Sequence, residues 1–384
     1  MSILDSSPTC WRWLPEKTGY PSEMLKPEMS LDHDLGIRSI KRVEILSALQ
    51  ERRPDLPAVK PEQLGTLHRL EDVIALLGQT VEDRGSAVEE RKSTSIPSSS
   101  TSGRSGWERT VSLASHPYLE AHVIGGKAVL PTAMILECLA HAALHHHPGL
   151  EFVQADNLRI FKGVRIGRTD QVALRVITEK ARREQGTFHI PAVLVQKDQG
   201  REIQHARADL VLAAQRPAAP RARLAQQIEQ NLVTPPADWY GSQLFHGSRL
   251  QGLTGIEALS RDGIIVLAKP APGPGTWLAD PWRRDWIADP LAIDVALQAI
   301  IVWTQSVLGF ASLPTAIGSY RQFRRDFPAD GLRIAISARR RQDAVVVADA
   351  EILAADGSVV ATLSEIEYVL DAQLQEAFRR NRVE

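Results

Sequence analysis

The chain has 384 residues, of which 43% are hydrophobic and 24% are charged, and its formal net charge at pH 7 is -1. This length predicts two or three domains, and the apolar fraction is sufficient for a sizeable core. A net charge near zero excludes a general preference for polyanions such as nucleic acids. The two cysteines, Cys10 and Cys138, lie far apart, which argues against a disulfide framework and indicates a reducing cytosol.

The N-terminus lacks the charged-then-apolar pattern of a signal sequence. We also identify no apolar run that reaches the ~18 residues of a membrane span. The sequence therefore predicts a cytoplasmic protein with neither a membrane nor a nucleic-acid partner.

Residues 1–82 are predicted to form a small helical segment. Apolar side chains form one helical stripe after Ser39, and a second helix fits residues 70–77. The segment resembles an acyl carrier protein of the polyketide and polyunsaturated-fatty-acid synthase type. That resemblance implies that Ser39, at the start of a helix, carries 4′-phosphopantetheine.

Two features of this segment depart from the carrier pattern. Arg38 stands where the family usually has an acidic residue, and Pro15 interrupts the stretch that should form the first helix. The segment is therefore either a working carrier, or a remnant or docking module. In the second case Ser39 is an ordinary helix-capping serine.

Residues 83–107 are polar, rich in serine and without periodicity, which predicts a flexible linker. Residues 108–384 follow as a third region. Its hydrophobic periodicity predicts a buried helix with antiparallel strands, twice in succession. The predicted helices are 132–144 and 290–308, and the predicted strands are 152–160, 172–178, 187–195, 203–212, 253–259, 263–269, 332–338, 344–353 and 359–370. A last polar helix, 372–380, is expected to fray.

Three motifs lie in this third region. The first runs from His122 through Gly126 to Pro131 and leads directly into the apolar helix, where proline suits the first turn. The second is the aromatic-glycine segment 239–247, which contains Tyr240. The third pairs Asp294 with Gln298, four residues apart in the second apolar helix.

These motifs, in this order and over this length, resemble those of polyketide synthase dehydratase domains. The resemblance implies an α+β double hot dog fold, in which each of two buried helices is wrapped by an antiparallel sheet. It also implies a hydro-lyase that converts 3-hydroxyacyl chains on a carrier protein into α,β-unsaturated thioesters. The implied partners are acyl carrier proteins and subunits of a polyketide or fatty-acid synthase, and a homodimer is left open.

Dehydration of a 3-hydroxyacyl thioester needs a base that removes a C2 proton and an acid that protonates the leaving hydroxyl. Histidine suits the first task, and a buried carboxyl that stays neutral suits the second. By resemblance, His122 is the base and Asp294 the acid. Gln298 is expected to hydrogen-bond the carboxyl or the substrate, Gly126 to let the backbone approach the thioester, and Tyr240 to orient the 3-hydroxyl. The reaction needs no metal or redox cofactor.

Several alternatives remain open at this stage. The same His and Asp pair could support product-template cyclisation or double-bond isomerisation, or the chain could be a non-catalytic docking subunit. The run His145 to His147 is interpreted as an exposed helix end rather than a metal site, because no acidic ligand lies nearby in the sequence. For His246, which precedes Gly247, two interpretations are open, a residue that lines the site and an ordinary turn histidine, and the second is favoured.

Overall fold

The computed structural model describes residues 105–198, 201–228, 233–342 and 344–384, and residues 99–384 form one compact unit. The predicted carrier-like segment 1–82, with Ser39, and most of the predicted linker lie outside the described residues. Residues 105–107 of that linker belong to the first strand instead.

The first half of the unit is one helix wrapped by antiparallel strands. Helix α1 spans Thr132–His145. The strands are β1 Ser105–Val111, β2 Val123–Ile124, β3 Lys127–Val129, β4 Glu151–Ile160, β5 Arg165–Ile166, β6 Val172–Thr178, β7 Arg182–Glu184, β8 Thr187–Asp198 and β9 Arg201–Ala213. Helix α1 contacts β4, β6, β8 and β9, and its residues from Ala133 to Ala143 are buried. This burial explains why its sequence is apolar on almost every side.

The second half repeats this plan around another helix. The helices are α2 Ala225–Ile228, α3 Trp239–Ser242, α4 Pro274–Trp277, α5 Pro290–Trp303 and α6 Leu374–Arg379. The strands are β10 Leu253–Ser260, β11 Gly263–Ala268, β12 Ser312–Gln322, β13 Leu332–Gln342, β14 Val345–Ala354 and β15 Val359–Leu370. Helix α5 contacts β10 to β14 and also contacts α1.

Both halves order their strands in the same way within one continuous sheet. From the free edge inward the first half runs β1, β6, β8, β9, β4, and the second runs β10, β11, β13, β14, β15, β12. In each half the strand that follows the helix is therefore the innermost. The two innermost strands, β4 and β12, pair antiparallel, with Leu158 opposite Ile317, and join the halves. This arrangement is a double hot dog, as the resemblance implied.

Sequence patterning missed β12, although this strand closes the structure. Pro314 and Gly318 interrupt its alternation of apolar and polar residues, and both residue types are unfavourable inside strands. A register shift between Pro314 and Ala316 in its pairing with β15 accommodates the proline. The strand is thus held by pairing on both sides rather than by its own propensity.

Helix α5 is buried along its whole length. Asp289 caps it by accepting a hydrogen bond from the Ala292 N–H at 2.8 Å, and Pro290 occupies the first turn. A π-helical turn, Thr304–Leu308, continues the helix before Gly309 ends it. The stretch Pro290–Leu308 has 19 residues, and an 18-residue window within it has a mean hydropathy of 1.7, so our expectation that no apolar run reaches membrane-spanning length was wrong. In the structure 78% of that window is buried, which makes the stretch a core helix.

The C-terminal segment folds back onto the first half, which contradicts the expectation that the last helix frays. Phe378 of α6 is only 6% exposed, and its ring lies 4.6 Å from that of Phe245. The Gly125 N–H donates to the Ala377 carbonyl and the Gly126 N–H to the Arg380 carbonyl, both at 2.9 Å. The sequence hid these contacts because they link residues about 250 positions apart.

We predict that Phe378→Ala lowers the free energy of unfolding by about 3 kcal/mol, because it removes a buried ring and leaves a cavity. Urea denaturation of the full chain, followed by circular dichroism, measures this change. The matched control is Phe310→Ala, which truncates a ring that is 41% exposed and should change stability by no more than about 0.5 kcal/mol. Equal stabilities of the two variants would mean that α6 is not docked.

Candidate active site

A tight loop positions His122 ahead of α1. A 3-10 turn, Pro117–Ala121, leads into His122, and the short hairpin of β2 and β3 returns the chain to Pro131. The His122 carbonyl accepts from the Val129 N–H at 2.9 Å. The His122 side chain therefore lies next to the residues that start α1.

The protonation pattern of His122 follows from its partner. Its Nδ1 lies 2.7 Å from the carbonyl oxygen of Val129, and since a carbonyl can only accept, Nδ1 carries the proton. Nε2 therefore keeps a free lone pair. Burial lowers the pKa of His122 from 6.5 to about 4, which keeps the ring neutral near pH 7. A neutral imidazole with an unoccupied Nε2 is suited to remove a proton.

Asp294 lies in the second turn of α5 among apolar residues and is 3% exposed. This burial raises the pKa of its carboxyl from 3.8 to about 7, although a hydrogen bond from Gln298 opposes the shift. The carboxyl is therefore protonated in a large fraction of molecules at neutral pH. A neutral carboxyl can donate a proton to a leaving oxygen.

A fixed network of hydrogen bonds orients the acid. Gln298 Nε2 donates to Asp294 Oδ2 at 2.7 Å and to the Leu250 carbonyl at 2.9 Å. Tyr240 donates from its hydroxyl to Gln298 Oε1 at 2.9 Å, and that hydroxyl accepts from the Leu253 N–H at 2.8 Å. Every polar atom of the Gln298 carboxamide is thus engaged, which fixes its orientation. Of the two roles expected for Gln298, the structure shows the hydrogen bond to the carboxyl.

The expected contact between Tyr240 and a substrate hydroxyl is not supported. Its hydroxyl donates to Gln298, and Tyr240 is not among the residues that line the cavity described below. Tyr240 therefore acts on Gln298, and only through it on Asp294.

His246 belongs to the site, which was the less favoured of the two interpretations that the sequence left open. Its backbone forms a β-bridge with His122, next to a hydrogen bond from the Gly247 N–H to the Ala121 carbonyl at 2.8 Å. Its Nε2 lies 3.5 Å from Asp294 Oδ2, and its ring centroid lies 5.2 Å from that of His122. In the sequence, the one signal was that His246 precedes a glycine. The structure explains this glycine, because a Cβ at Gly247 would lie only 3.0 Å from the Ala121 Cα.

A cavity of about 270 Å³ connects these groups, close to the lower end of the ~300–1,000 Å³ typical of ligand sites. His122, His246, Asp294 and Gln298 lie along it. Its apolar wall includes Ile124, Val129, Leu130, Ile135, Ile160, Phe245, Leu297, Ile301 and Leu313. Phe161, which is 52% exposed, and Lys162 also line it, so this end of the cavity reaches the protein surface.

The N-terminal end of α1 also faces this cavity, through Thr132. Pro131 caps the helix rather than occupying its first turn, and its carbonyl accepts the first intrahelical bond, from Ile135, at 3.0 Å. The N–H groups of residues 132–134 therefore have no intrahelical acceptor. Such N–H groups can stabilise negative charge on an oxygen.

The expected role of Gly126 at the thioester is not supported. Its N–H donates to the Arg380 carbonyl, its carbonyl accepts from the Glu384 N–H at 3.0 Å, and it does not line the cavity. Its φ of +78° requires glycine, and an added Cβ would lie 2.6 Å from the Glu384 carboxyl. Gly126 therefore shapes the hairpin and its contact with the C-terminal segment.

The ring nitrogens of His122 and His246 and a carboxylate oxygen of Asp294 lie within 4.8 Å of one another. This close grouping of two neutral imidazoles with a neutral carboxyl fits proton transfer. The contacts that we observe on the carboxyl are hydrogen-bonding ones, chiefly from Gln298, which is the geometry of an oriented acid. A second, larger cavity of about 460 Å³ lies at the opposite end of α1, around Leu144 and Arg283, away from these groups.

Comparisons with known proteins agree with this fold. A family model described as polyketide synthase dehydratase domain matches residues 94–192, and one described as polyketide synthase dehydratase N-terminal domain matches residues 213–370. A curated relative, a polyunsaturated fatty acid synthase subunit from Thraustochytrium sp., is 29% identical over 219 residues. That match covers 56% of this chain but only 8% of the relative's length.

Solved structures share the fold at low sequence identity. The dehydratase domain from the CurF module of curacin polyketide synthase has a TM-score of 0.58 and 16% identity, covering 72% of this chain and 96% of that one. A trans-acyltransferase polyketide synthase enoyl-isomerase has a TM-score of 0.52 and 13% identity, covering 68% and 98%. The fold alone therefore does not separate dehydration from isomerisation. The two family matches together cover more than half of the chain, which belongs to the polyketide synthase dehydratase family.

Proposed function

We propose that this chain removes water from 3-hydroxyacyl thioesters carried by a carrier protein and yields α,β-unsaturated thioesters. The observation that carries this proposal is the pairing of a neutral base, His122, with a neutral acid, Asp294, at one apolar cavity. Near neutral pH His122 is unprotonated and a large fraction of Asp294 is protonated, which are the states that dehydration requires.

In the first part of the reaction, His122 Nε2 removes a proton from C2 of the acyl chain. Negative charge then develops on the thioester oxygen. The N–H groups at the start of α1 are placed to stabilise that charge, because Thr132 lines the same cavity. The apolar wall excludes water, which strengthens these interactions.

In the second part, the Asp294 carboxyl donates its proton to the 3-hydroxyl, and the C3–O bond breaks to release water. The double bond forms between C2 and C3 from the electron pair left at C2. His122 now carries a proton and Asp294 is ionised, so transfer of one proton between them restores the starting state. A ring nitrogen of His122 and a carboxyl oxygen of Asp294 lie within 4.8 Å of each other, so the proton has only a short distance to travel.

We predict that His122→Ala and Asp294→Asn each lower kcat for water loss by about 10²- to 10⁴-fold, because each removes one partner of general acid-base catalysis. Mass spectrometry of a 3-hydroxyacyl pantetheine thioester, in both 3-hydroxy configurations, measures the product. The control variants, His189→Gln and Asp198→Asn, change residues that do not line the cavity and should retain the wild-type rate.

The outcome also separates the alternative activities. Exchange of the C2 proton for deuterium without water loss would indicate isomerisation or product-template cyclisation. The absence of both reactions over a range of chain lengths would indicate a non-catalytic docking subunit.

The pKa values of the two groups predict a bell-shaped dependence of kcat/KM on pH. His122 must be unprotonated, so activity should rise as pH increases through about 4. Asp294 must be protonated, so activity should fall as pH increases through about 7. The residual activity of Asp294→Asn should lack the fall near pH 7, because an amide does not titrate there. Activity that instead rises above pH 7 would contradict the assignment of Asp294 as the acid.

The proposed surroundings of this activity are a cytoplasmic polyketide or fatty-acid type synthase with acyl carrier proteins as partners. The curated relative supports this setting, because it is named as a subunit of a polyunsaturated fatty acid synthase. The proposed reaction uses no cofactor, whereas Ser39 is a candidate for 4′-phosphopantetheine if residues 1–82 act as a carrier.

We predict that, if the segment is a working carrier, a phosphopantetheinyl transferase with coenzyme A increases the chain's mass by one phosphopantetheine. Ser39→Ala should abolish this increase, because the serine hydroxyl is the only atom of that side chain that can form the phosphoester. Intact-mass spectrometry measures both proteins. An unchanged mass of the wild-type chain would assign the segment to the remnant or docking alternative.

A further inference from the structure

His246 is a buried polar residue of the site that the proposed acid-base mechanism does not use. It lines the cavity together with His122 and Asp294. Its Nε2 lies 3.5 Å from Asp294 Oδ2, while its Nδ1 is buried without a hydrogen-bond partner among the described residues. A buried histidine with one nitrogen close to the acid and the other without a partner requires a physical explanation.

Two contacts hold the backbone of His246 and one holds its ring. The bridge to His122 fixes one side, and Gln251 Nε2 donates to the His246 carbonyl at 3.1 Å. The imidazole stacks on the ring of Phe245 with centroids 4.1 Å apart, and Phe245 in turn packs against Phe378. His246 is therefore a rigid element of the site, positioned by both halves of the chain and by its C-terminal segment.

The contact between His246 and Asp294 is a contact between neutral groups. Burial lowers the pKa of His246 well below 6.5 and raises that of Asp294, so an ion pair does not form. A neutral imidazole carries one proton. A buried N–H without an acceptor is rarer than a lone pair without a donor, so the proton belongs on Nε2, which has an acceptor nearby.

Asp294 Oδ2 then accepts one hydrogen bond and has a second N–H group 3.5 Å away, whereas Asp294 Oδ1 has no donor among the described residues. Gln298 Nε2 donates to Oδ2 at 2.7 Å, and His246 Nε2 approaches the same oxygen. The described residues form no hydrogen bond with Oδ1. An oxygen that already accepts a hydrogen bond is a poor place for the carboxyl proton, so the proton is directed to Oδ1.

We propose that His246 is a positioning residue for the acid: together with Gln298 it holds Asp294 Oδ2 as an acceptor, so that Oδ1 carries the proton for the leaving hydroxyl. This inference rests on the proposed dehydratase function and assigns a role that the His and Asp pair alone does not contain. Catalytic hydrogen bonds are often long before substrate binds and tighten in the complex, so the proposal requires the distance of 3.5 Å to shorten when substrate is bound.

The test compares His246→Phe, which keeps the ring but removes the donor, with His246→Gln and His246→Asn. A Gln amide nitrogen takes the place of Nε2, whereas an Asn amide nitrogen takes the place of Nδ1. We expect His246→Phe and His246→Asn to lower kcat for water loss by about 10- to 100-fold, with KM changed less than about threefold. We expect His246→Gln to retain most of the rate.

Proton exchange at C2 locates the effect within the mechanism. His246→Phe should retain exchange in deuterated buffer, as Asp294→Asn does, because the base is intact. His122→Ala should lose exchange. The matched control is His116→Phe, since His116 is also buried with an unpartnered Nε2 but does not line the cavity, and it should retain the wild-type kcat. Thermal unfolding of each variant separates folding from catalysis.

A wild-type kcat in His246→Phe, or a rate in His246→Gln as low as in His246→Phe at equal stability, would overturn the inference. If His246→Phe abolished both C2 proton exchange and dehydration, the inference would also be overturned, because the effect would then act through His122. A wild-type chain that does not lose water from any substrate would instead refute the proposed function itself.

Discussion

The burial of one carboxyl group determines the chemistry of this structure. Asp294 lies in a helix whose other residues from Pro290 to Trp303 are also buried, and water that would stabilise its charge is excluded. The pKa of the carboxyl consequently rises to about 7. An ionised group at this position would be costly without a cationic partner, and none contacts it among the described residues. The protein tolerates Asp294 because its raised pKa favours the neutral form and because Gln298 donates a hydrogen bond to it.

The fold explains how an acid so buried can meet a base. The base precedes the core helix of the first half, and the acid lies in the core helix of the second half. Neither half contains both groups. The pairing of β4 with β12 and the contact between α1 and α5 bring the halves together, and the cavity runs along that junction. A single hot dog unit of this chain would therefore have a helix and a sheet but only half of the acid-base pair.

Local patterns in the sequence predicted most of this fold. The apolar stretch from Thr132 and the one from Pro290 are buried on nearly all sides, and such stretches can be identified without knowing what surrounds them. The strand 172–178 was predicted with its observed limits for the same reason, because its alternation is intrinsic to the segment. The features that were missed depend on distant partners. Strand β12 is held by neighbours on both sides, and α6 is held by Phe245 and the hairpin near Gly126.

In the candidate site, too, the residues that belong to local motifs were predicted, whereas contacts with distant partners were not. Motif spacing identified His122, Asp294 and Gln298, because a resemblance transfers residue types at fixed positions. It did not indicate what each side chain contacts. Tyr240 and Gly126 were assigned to the substrate, yet the hydroxyl of Tyr240 is engaged by Gln298 and the N–H of Gly126 by Arg380. For His246 the turn interpretation was favoured, because its approach to Asp294 spans 48 positions of sequence that no local pattern connects. The side chains that orient an acid are thus harder to predict than the acid itself, since their role is defined only by the three-dimensional contact.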